Sequence, residues 1–257
     1  MKVTVCELPN DADGLNAQWA ALAAHTQALH SDLVLLPEMP FHPWLPASDQ
    51  AAPERWLQAV KAHRRWILRL SELGAAVVMG TRPVIRSGVP HNEGFVWTPE
   101  RGVLATHTKY YLPNEAGYWE ASWYRPGPGT FDSISWGGLT YGLLICTELW
   151  FSRHARRYGQ QGAHIIVCPR VTPAASTGKW IAGGRAAAVV SGAFCLSSNL
   201  AGPNTPGSDF GGTGWIIEPE EGTLLGTTSP RAPFLTMEID PRWAEAAKGT
   251  YPRYIND

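Results

Sequence analysis

The sequence predicts a mixed α/β fold built on a mostly parallel, helix-covered sheet. Residues 2–81 alternate strand-like and helix-like patterns, and a β-α-β-α-β order of this kind places helices on a parallel sheet. The segment LVLLPE (33–38) is a short continuous apolar run, as expected of a strand covered on both faces. The 257 residues show no linker, low-complexity tract or internal repeat, so a single domain over residues 1–257 is expected. A chain of that length buries a sizeable core without staples.

The elements follow in order. KVTVCEL (2–8) alternates and is rich in β-branched residues, which reads as a strand. Leu15, Trp19, Leu22, Thr26 and Leu29 step by four and three, one face of a helix, with Asp11 or Asp13 as its N-cap. After the 33–38 strand comes a Pro-rich loop, FHPWLPASDQAAP. A second helix is expected from Glu54 to Leu73, with Trp56, Val60, Ile67 and Leu70 inward and Gly74 as its stop. AAVVMGT (75–81) is a third strand. EGFVWT and GVLATHT flank the turn PERG and read as antiparallel strands. LTYGLLIC, AHIIVC and AFCLSSN are further strands, separated by short helices near 153–162 and 180–192. GGTGWIIEPEEGTLLGTTS and PFLTMEI read as a meander, and DPRWAEAAKG as a last short helix with an Asp cap, Pro at its first position and Gly at its end.

Composition narrows the function. Lys plus Arg is 21 against 22 Asp plus Glu, a net charge of −1, which gives no reason to expect a nucleic-acid or anionic-membrane partner. No apolar run approaches the length of a membrane span. The N-terminal stretch MKVTVCELPN is too polar for a signal peptide. The four cysteines, at 6, 146, 168 and 195, lie far apart in strand-like contexts with no CxxC pair. That argues against a zinc site and for reduced thiols in a cytoplasmic protein. GPNTPGSDFGGTG lacks the spacings of a phosphate-binding loop.

Three strand ends close on a reactive side chain. LVLLPE stops at Glu38, GVLATHTK at Lys109 and GLLIC at Cys146, with a further carboxylate, Glu148, two residues beyond the cysteine. Ligands gather at the carboxyl ends of strands in open α/β sheets. A thiol attacks a carbonyl as the thiolate, a carboxylate can take its proton, and an ammonium steadies the anion and the oxyanion that follows. Glu38, Lys109 and Cys146 therefore supply base, clamp and nucleophile, a set that requires no metal and no cofactor.

LLPE, HTKYYLP, GYWEASWYRPG and GLLICTELWF resemble, in order, the four signatures of the nitrilase superfamily of carbon–nitrogen hydrolases, and RAAAVVSGAFCLSSNLAG and FGGTGWIIEPEEG are similar to later stretches of that family. The resemblance runs from Met1 to about Asp240. It implies a four-layer αββα sandwich and a catalytic Glu-Lys-Cys triad at Glu38, Lys109 and Cys146. It places the family's second glutamate at Glu120, which matches the aromatic-Glu-x-x-aromatic-aromatic-x-Pro-Gly pattern, rather than at Glu115. The implied role of Glu120 is to orient Lys109 and the leaving nitrogen. The Thr147 N–H completes the oxyanion hole. The resemblance also implies a homodimer or higher homo-oligomer, assembled near residues 153–162. Departures occur at Thr147, Ser152 and Gly214, all outside the triad; those beside the cysteine bear on substrate choice.

Plainer readings apply to other residues. Cys6, Cys168 and Cys195 are expected to be small buried hydrophobes. His154 is expected on a solvated helix face, and Asn199 in a turn. Trp44, Tyr110, Trp119, Trp123, Trp150 and Phe151 cluster around the motifs. Core packing is the default for most of them, but Tyr110, Trp119 and Trp150, with Thr147, are candidates for substrate binding and suit an apolar or aromatic acyl group. The expected activity is hydrolysis of a small-molecule amide. N-carbamoyl hydrolysis is the nearest alternative, because GYWEASWYRPGPGTF resembles the carbamoylputrescine-hydrolysing branch. A nitrilase follows, and then a catalytically silent protein that keeps the fold.

Overall fold

The computed structural model describes residues 1–205 and 208–255. In chain order the elements are β1 (Lys2–Pro9), α1 (Ala12–Leu29), β2 (Leu33–Leu35), α2 (Pro53–Ile67), β3 (Val77–Arg86), β4 (Val89–Thr98), β5 (Gly102–Thr108) and α3 (Glu120–Trp123). The second half continues with β6 (Ile134–Trp136), β7 (Leu139–Leu143), α4 (Ser152–Gln160), β8 (Ile165–Arg170), α5 (Thr177–Ser191) and β9 (Phe194–Thr205). It closes with β10 (Ser208–Gly211), β11 (Trp215–Ile217), β12 (Leu224–Thr227), β13 (Phe234–Glu238) and α6 (Arg242–Ala247).

The strands run in the order β5-β4-β3-β2-β1-β9-β8-β7-β6. Pairing is parallel through the centre, from β3 to β7, and antiparallel at both margins. β1 joins the two halves: Val3–Val5 pair with β2, and Glu7–Pro9 pair with β9. On the first half, Cys6, Leu8, Val34 and Val78 face α1 and α2 in one core. Val3, Val5, Leu33, Leu35, Val77 and Met79 share a second core with β7, β8, β9 and the buried faces of α4 and α5. The layers are thus helix, sheet, sheet, helix. Two glycines mark how closely they approach. A Cβ on Gly94 of β4 would meet the Leu143 side chain of β7 at 2.1 Å, and one on Gly142 would meet the Tyr158 ring of α4 at 2.5 Å. Neither position tolerates a side chain.

Local chemistry explains the element ends. Asp11 caps α1 by accepting from Gly14 N at 2.7 Å. Leu15, Trp19, Leu22 and Thr26 are buried, but Leu29 is 40% exposed, because α1 ends at His30 in the left-handed region before the chain turns into β2. The second helix does not reach Leu73. It ends at Ile67, which is only half-buried, and a 3₁₀ turn over Leu70–Leu73 leads to Gly74 at φ +64°. The third strand runs on to Arg86 rather than stopping at 81. It turns through Ser87 (φ +49°) and Gly88 (φ +80°) straight into β4, a tight hairpin of the twist-matched type. The final meander is interrupted: β12 pairs with β11, but β13 crosses to lie against β1. No helix of the described residues is long and apolar enough to cross a membrane.

Candidate active site

Glu38 lies three residues beyond β2, Lys109 directly after β5, and Cys146 three residues beyond β7. All three strands deliver them to the same side of the sheets. The Lys109 ammonium is fully buried between two carboxylates, 2.8 Å from Glu38 Oε1 and 2.5 Å from Glu120 Oε2. Glu38 Oε1 also accepts from Asn92 Nδ2 at 2.7 Å. Its other oxygen, Oε2, has no hydrogen-bond partner among the described residues. Glu120 Oε2 accepts in addition from the Tyr124 hydroxyl. Cys146 is 3% exposed, and its sulfur lies 3.6 Å from Val171 O.

The charges in this cluster act on one another. Burial raises the Glu38 pKa, opposed by the Lys109 charge and by hydrogen bonding to Lys109 and to the Cys146 thiol. Burial pushes Glu120 up to about 7, with Lys109 lowering it and the Glu38 charge raising it. Burial alone would lower Lys109, but the carboxylates of Glu120 and Glu38 override it and hold the ammonium firmly charged. Burial and the Glu38 charge push the Cys146 thiol well up, against the pull of Lys109. The resting sulfur is therefore a thiol, and it stands beside a carboxylate whose raised pKa suits it to take a proton.

Cys146 has φ +48°, a left-handed backbone that costs a non-glycine residue about 1–2 kcal/mol. Glu148 holds it there. Its carboxylate is fully buried and accepts from Ile145 N at 2.7 Å, from Tyr110 N at 2.8 Å, and from His107 Nε2 at 2.9 and 2.8 Å. One side chain thus ties the residue before Cys146 to the residue after Lys109. His107 Nδ1 faces Thr130 O at 3.1 Å, so a doubly protonated ring donates to both of its partners.

Cys146, Thr147 and Glu120 line a cavity of about 880 Å³, and Glu38 and Lys109 lie fully buried behind them. Tyr110, Tyr111, Tyr118, Trp150, Phe151 and Trp180 form its aromatic walls. Of the expected substrate-binding residues, Thr147, Tyr110 and Trp150 reach this cavity. Trp119 does not: its backbone N–H donates to Pro46 O at 2.8 Å and its ring packs on the core beside α1 and α2. Trp44 and Trp123 are likewise buried in that core. His154 is not on a solvated face. It stacks on Phe131 at 3.5 Å and meets the Tyr111 hydroxyl at 3.0 Å. Asn199 is buried in β9 rather than in a turn, and it fixes the cavity wall by accepting from Thr172 N and donating to Thr172 and Gly212 carbonyls. Cys6, Cys168 and Cys195 are buried and unpaired, as expected. Glu115 is exposed at the cavity rim.

Asn92, His107, Glu148 and Tyr118 have no place in the sequence expectations. Two left a signal. His107 and Lys109 are two residues apart at a strand end, which puts them on one face, and Glu148 follows the nucleophile position by two.

A carbon–nitrogen hydrolase family model matches residues 2–248. The chain belongs to the carbon–nitrogen hydrolase family. This carbon–nitrogen hydrolase superposes on the crystal structure of a carbon–nitrogen hydrolase from Helicobacter pylori G27 with a TM-score of 0.86 and 19% identity, covering 98% of this chain and 94% of that one. An amidase from Nesterenkonia sp. gives a TM-score of 0.78 at 20% identity, covering 95% and 92%. Among curated proteins, the glutamine-dependent NAD(+) synthetase of Xanthomonas campestris pv. campestris is 27% identical over 153 residues, 59% of this chain. That match spans only 27% of the synthetase, so it concerns a portion of a longer protein. The likeness to the solved structures establishes the αββα nitrilase fold.

Proposed function

We propose that this carbon–nitrogen hydrolase cleaves the amide bond of a small molecule to a carboxylic acid and ammonia through a thioester at Cys146. The observation that carries the reading is the Lys109 ammonium, buried between Glu38 and Glu120 directly behind the cavity that exposes Cys146. Glu38 takes the thiol proton as sulfur attacks the amide carbon. Lys109 and the Thr147 N–H hold the developing oxyanion. The C–N bond then breaks, and a carboxyl of the Glu38–Glu120 pair gives its proton to the departing nitrogen. Glu38 next activates water, which adds to the thioester carbon, and the C–S bond breaks to return the thiol. Each step uses side chains already in place and needs no cofactor.

The six aromatic walls support an apolar or aromatic acyl group. In the Nesterenkonia amidase, the active-site cysteine takes up acrylamide by Michael addition, which supports an equivalent role for Cys146. A second reading, hydrolysis of an N-carbamoyl compound, draws support from the segment GYWEASWYRPGPGTF, which carries both Tyr118 and Glu120. An ammonia-release screen over aliphatic amides, aromatic amides, N-carbamoyl compounds and nitriles tests both, with Cys146→Ala as control. Release from amides that is abolished in the variant supports the reading; release confined to nitriles overturns it.

A further inference from the structure

One hydroxyl at the cavity is left without a bond. Tyr118 lines the cavity with Cys146 and Glu120, and its phenolic oxygen is shielded from solvent with no hydrogen-bond partner among the described residues. A buried hydroxyl without a partner is costly and uncommon in native proteins. The placement is not loose. Tyr118 N donates to Glu115 O at 2.8 Å, and the Tyr118 carbonyl accepts from Glu120 N at 2.9 Å. The Gly117 carbonyl, next to it, accepts from Trp44 Nε1 at 3.2 Å, and Gly117 itself sits at φ +82°. The ring packs edge-on to Phe210 at 6.5 Å. The backbone is pinned on both sides of an unbonded hydroxyl, in the way a preorganised site holds a group for a ligand. Burial, then the charges of Cys146, Glu115, Glu120 and Glu38, raise the phenol's pKa, so it keeps its proton and acts as a donor.

We propose that the Tyr118 hydroxyl is a substrate-binding donor that hydrogen-bonds the amide oxygen while Cys146 attacks the adjoining carbon. The proposal rests on the reading of Cys146 as a nucleophile toward amides. As that oxygen gains charge, the bond strengthens, so its effect falls on the transition state more than on ground-state binding. The hydroxyl makes no bond within the protein, so removing it takes nothing from the fold.

Tyr118→Phe tests this. A charge-assisted donor is worth about 10- to 100-fold, so kcat/KM on the best amide falls by about that factor, mostly in kcat, with the thermal midpoint unchanged. A parallel measurement separates this proposal from the amide reading itself. Cys146 is titrated with acrylamide, which presents a carbonyl oxygen, and with methyl methanethiosulfonate, which presents none. The variant slows the first reaction and leaves the second unchanged. Wild type that releases no ammonia from any amide counts against the amide reading alone, and the acrylamide comparison then decides the role of Tyr118. Unchanged kcat/KM and acrylamide rates in the variant overturn the proposal, as does an equal slowing of both thiol reagents.

Discussion

Glu148→Gln is the substitution whose effect the geometry sets most sharply. Three donors converge on this carboxylate: Ile145 N at 2.7 Å, Tyr110 N at 2.8 Å and His107 Nε2 at 2.8 Å. Glutamine keeps the shape but turns one acceptor oxygen into an NH₂ group, which then faces a donor. One charge-assisted bond is lost, about 1.5–3 kcal/mol, and one buried N–H is stranded, a further ~1–3 kcal/mol. These losses share one network and do not add fully, so the expected cost is about 2–5 kcal/mol, a large share of the ~5–15 kcal/mol typical of a domain. The same change frees the strained turn at Cys146 from the strand end that carries Lys109. A displacement of about 1 Å between such groups costs about 10²-fold in rate. Urea unfolding gives the stability, and kcat/KM normalised to titratable Cys146 gives the rate on folded protein only. A variant within about 0.5 kcal/mol of wild type and with full kcat/KM refutes the assignment of Glu148 as the joint between nucleophile and lysine.

Other outcomes follow from the same cluster. Lys109→Met leaves two buried carboxylates without their counter-ion; turnover is lost, and stability falls by about 3–5 kcal/mol in chemical denaturation at neutral pH. In that variant both acids have folded pKa values above their unfolded ones, so the deficit is smallest at acid pH and grows as pH rises. In the wild type, burial, against the pull of Lys109, pushes Glu120 from 4.5 to about 7 and raises Glu38 too. If both must ionise, kcat/KM falls as pH drops through about 7 rather than through 4.5, which a pH–rate profile measures. His63 is fully buried, and burial pushes its pKa down to about 3 from 6.5; it donates from Nδ1 to Ala59 O and accepts from Phe41 N, just past Glu38. Its unfolded form binds a proton more readily, so its contribution is present above 6.5 and is lost as pH falls toward 3. The stability difference between wild type and His63→Gln therefore narrows on acidification, readable from urea midpoints across that window.

The sequence made the central strands legible because they are apolar runs closed by a single polar residue, as at Glu38, Lys109 and Cys146. Helix α1 was legible through Asp11 and the spacing of Leu15, Trp19 and Leu22. The hairpin at Ser87–Gly88 was not, because Pro83 and Pro90 hide the alternation of β3 and β4. Asn92 was lost with that hairpin, since its approach to Glu38 exists only once β4 lies beside β3. The end of α2 was overrun because Leu70 and Leu73 continue the helical spacing through a tighter 3₁₀ turn. Trp119 illustrates a limit of motif reasoning. It adjoins Glu120 along the chain, but a short helix turns it to the core while Tyr118 faces the cavity. Glu148 and His107 are charges whose partners lie about forty residues apart, a pairing that only the fold discloses.

The central claim is a covalent acyl group on Cys146. The direct measurement is intact-protein and peptide mass spectrometry of Glu38→Gln, quenched in acid during reaction with an amide that wild type hydrolyses; this variant lacks the carboxylate that activates water for deacylation. The account predicts a mass gain equal to the acyl group, confined to the peptide containing Cys146 and absent in Glu38→Gln combined with Cys146→Ala. Undiminished ammonia release by Cys146→Ala, with no adduct on that peptide, contradicts it.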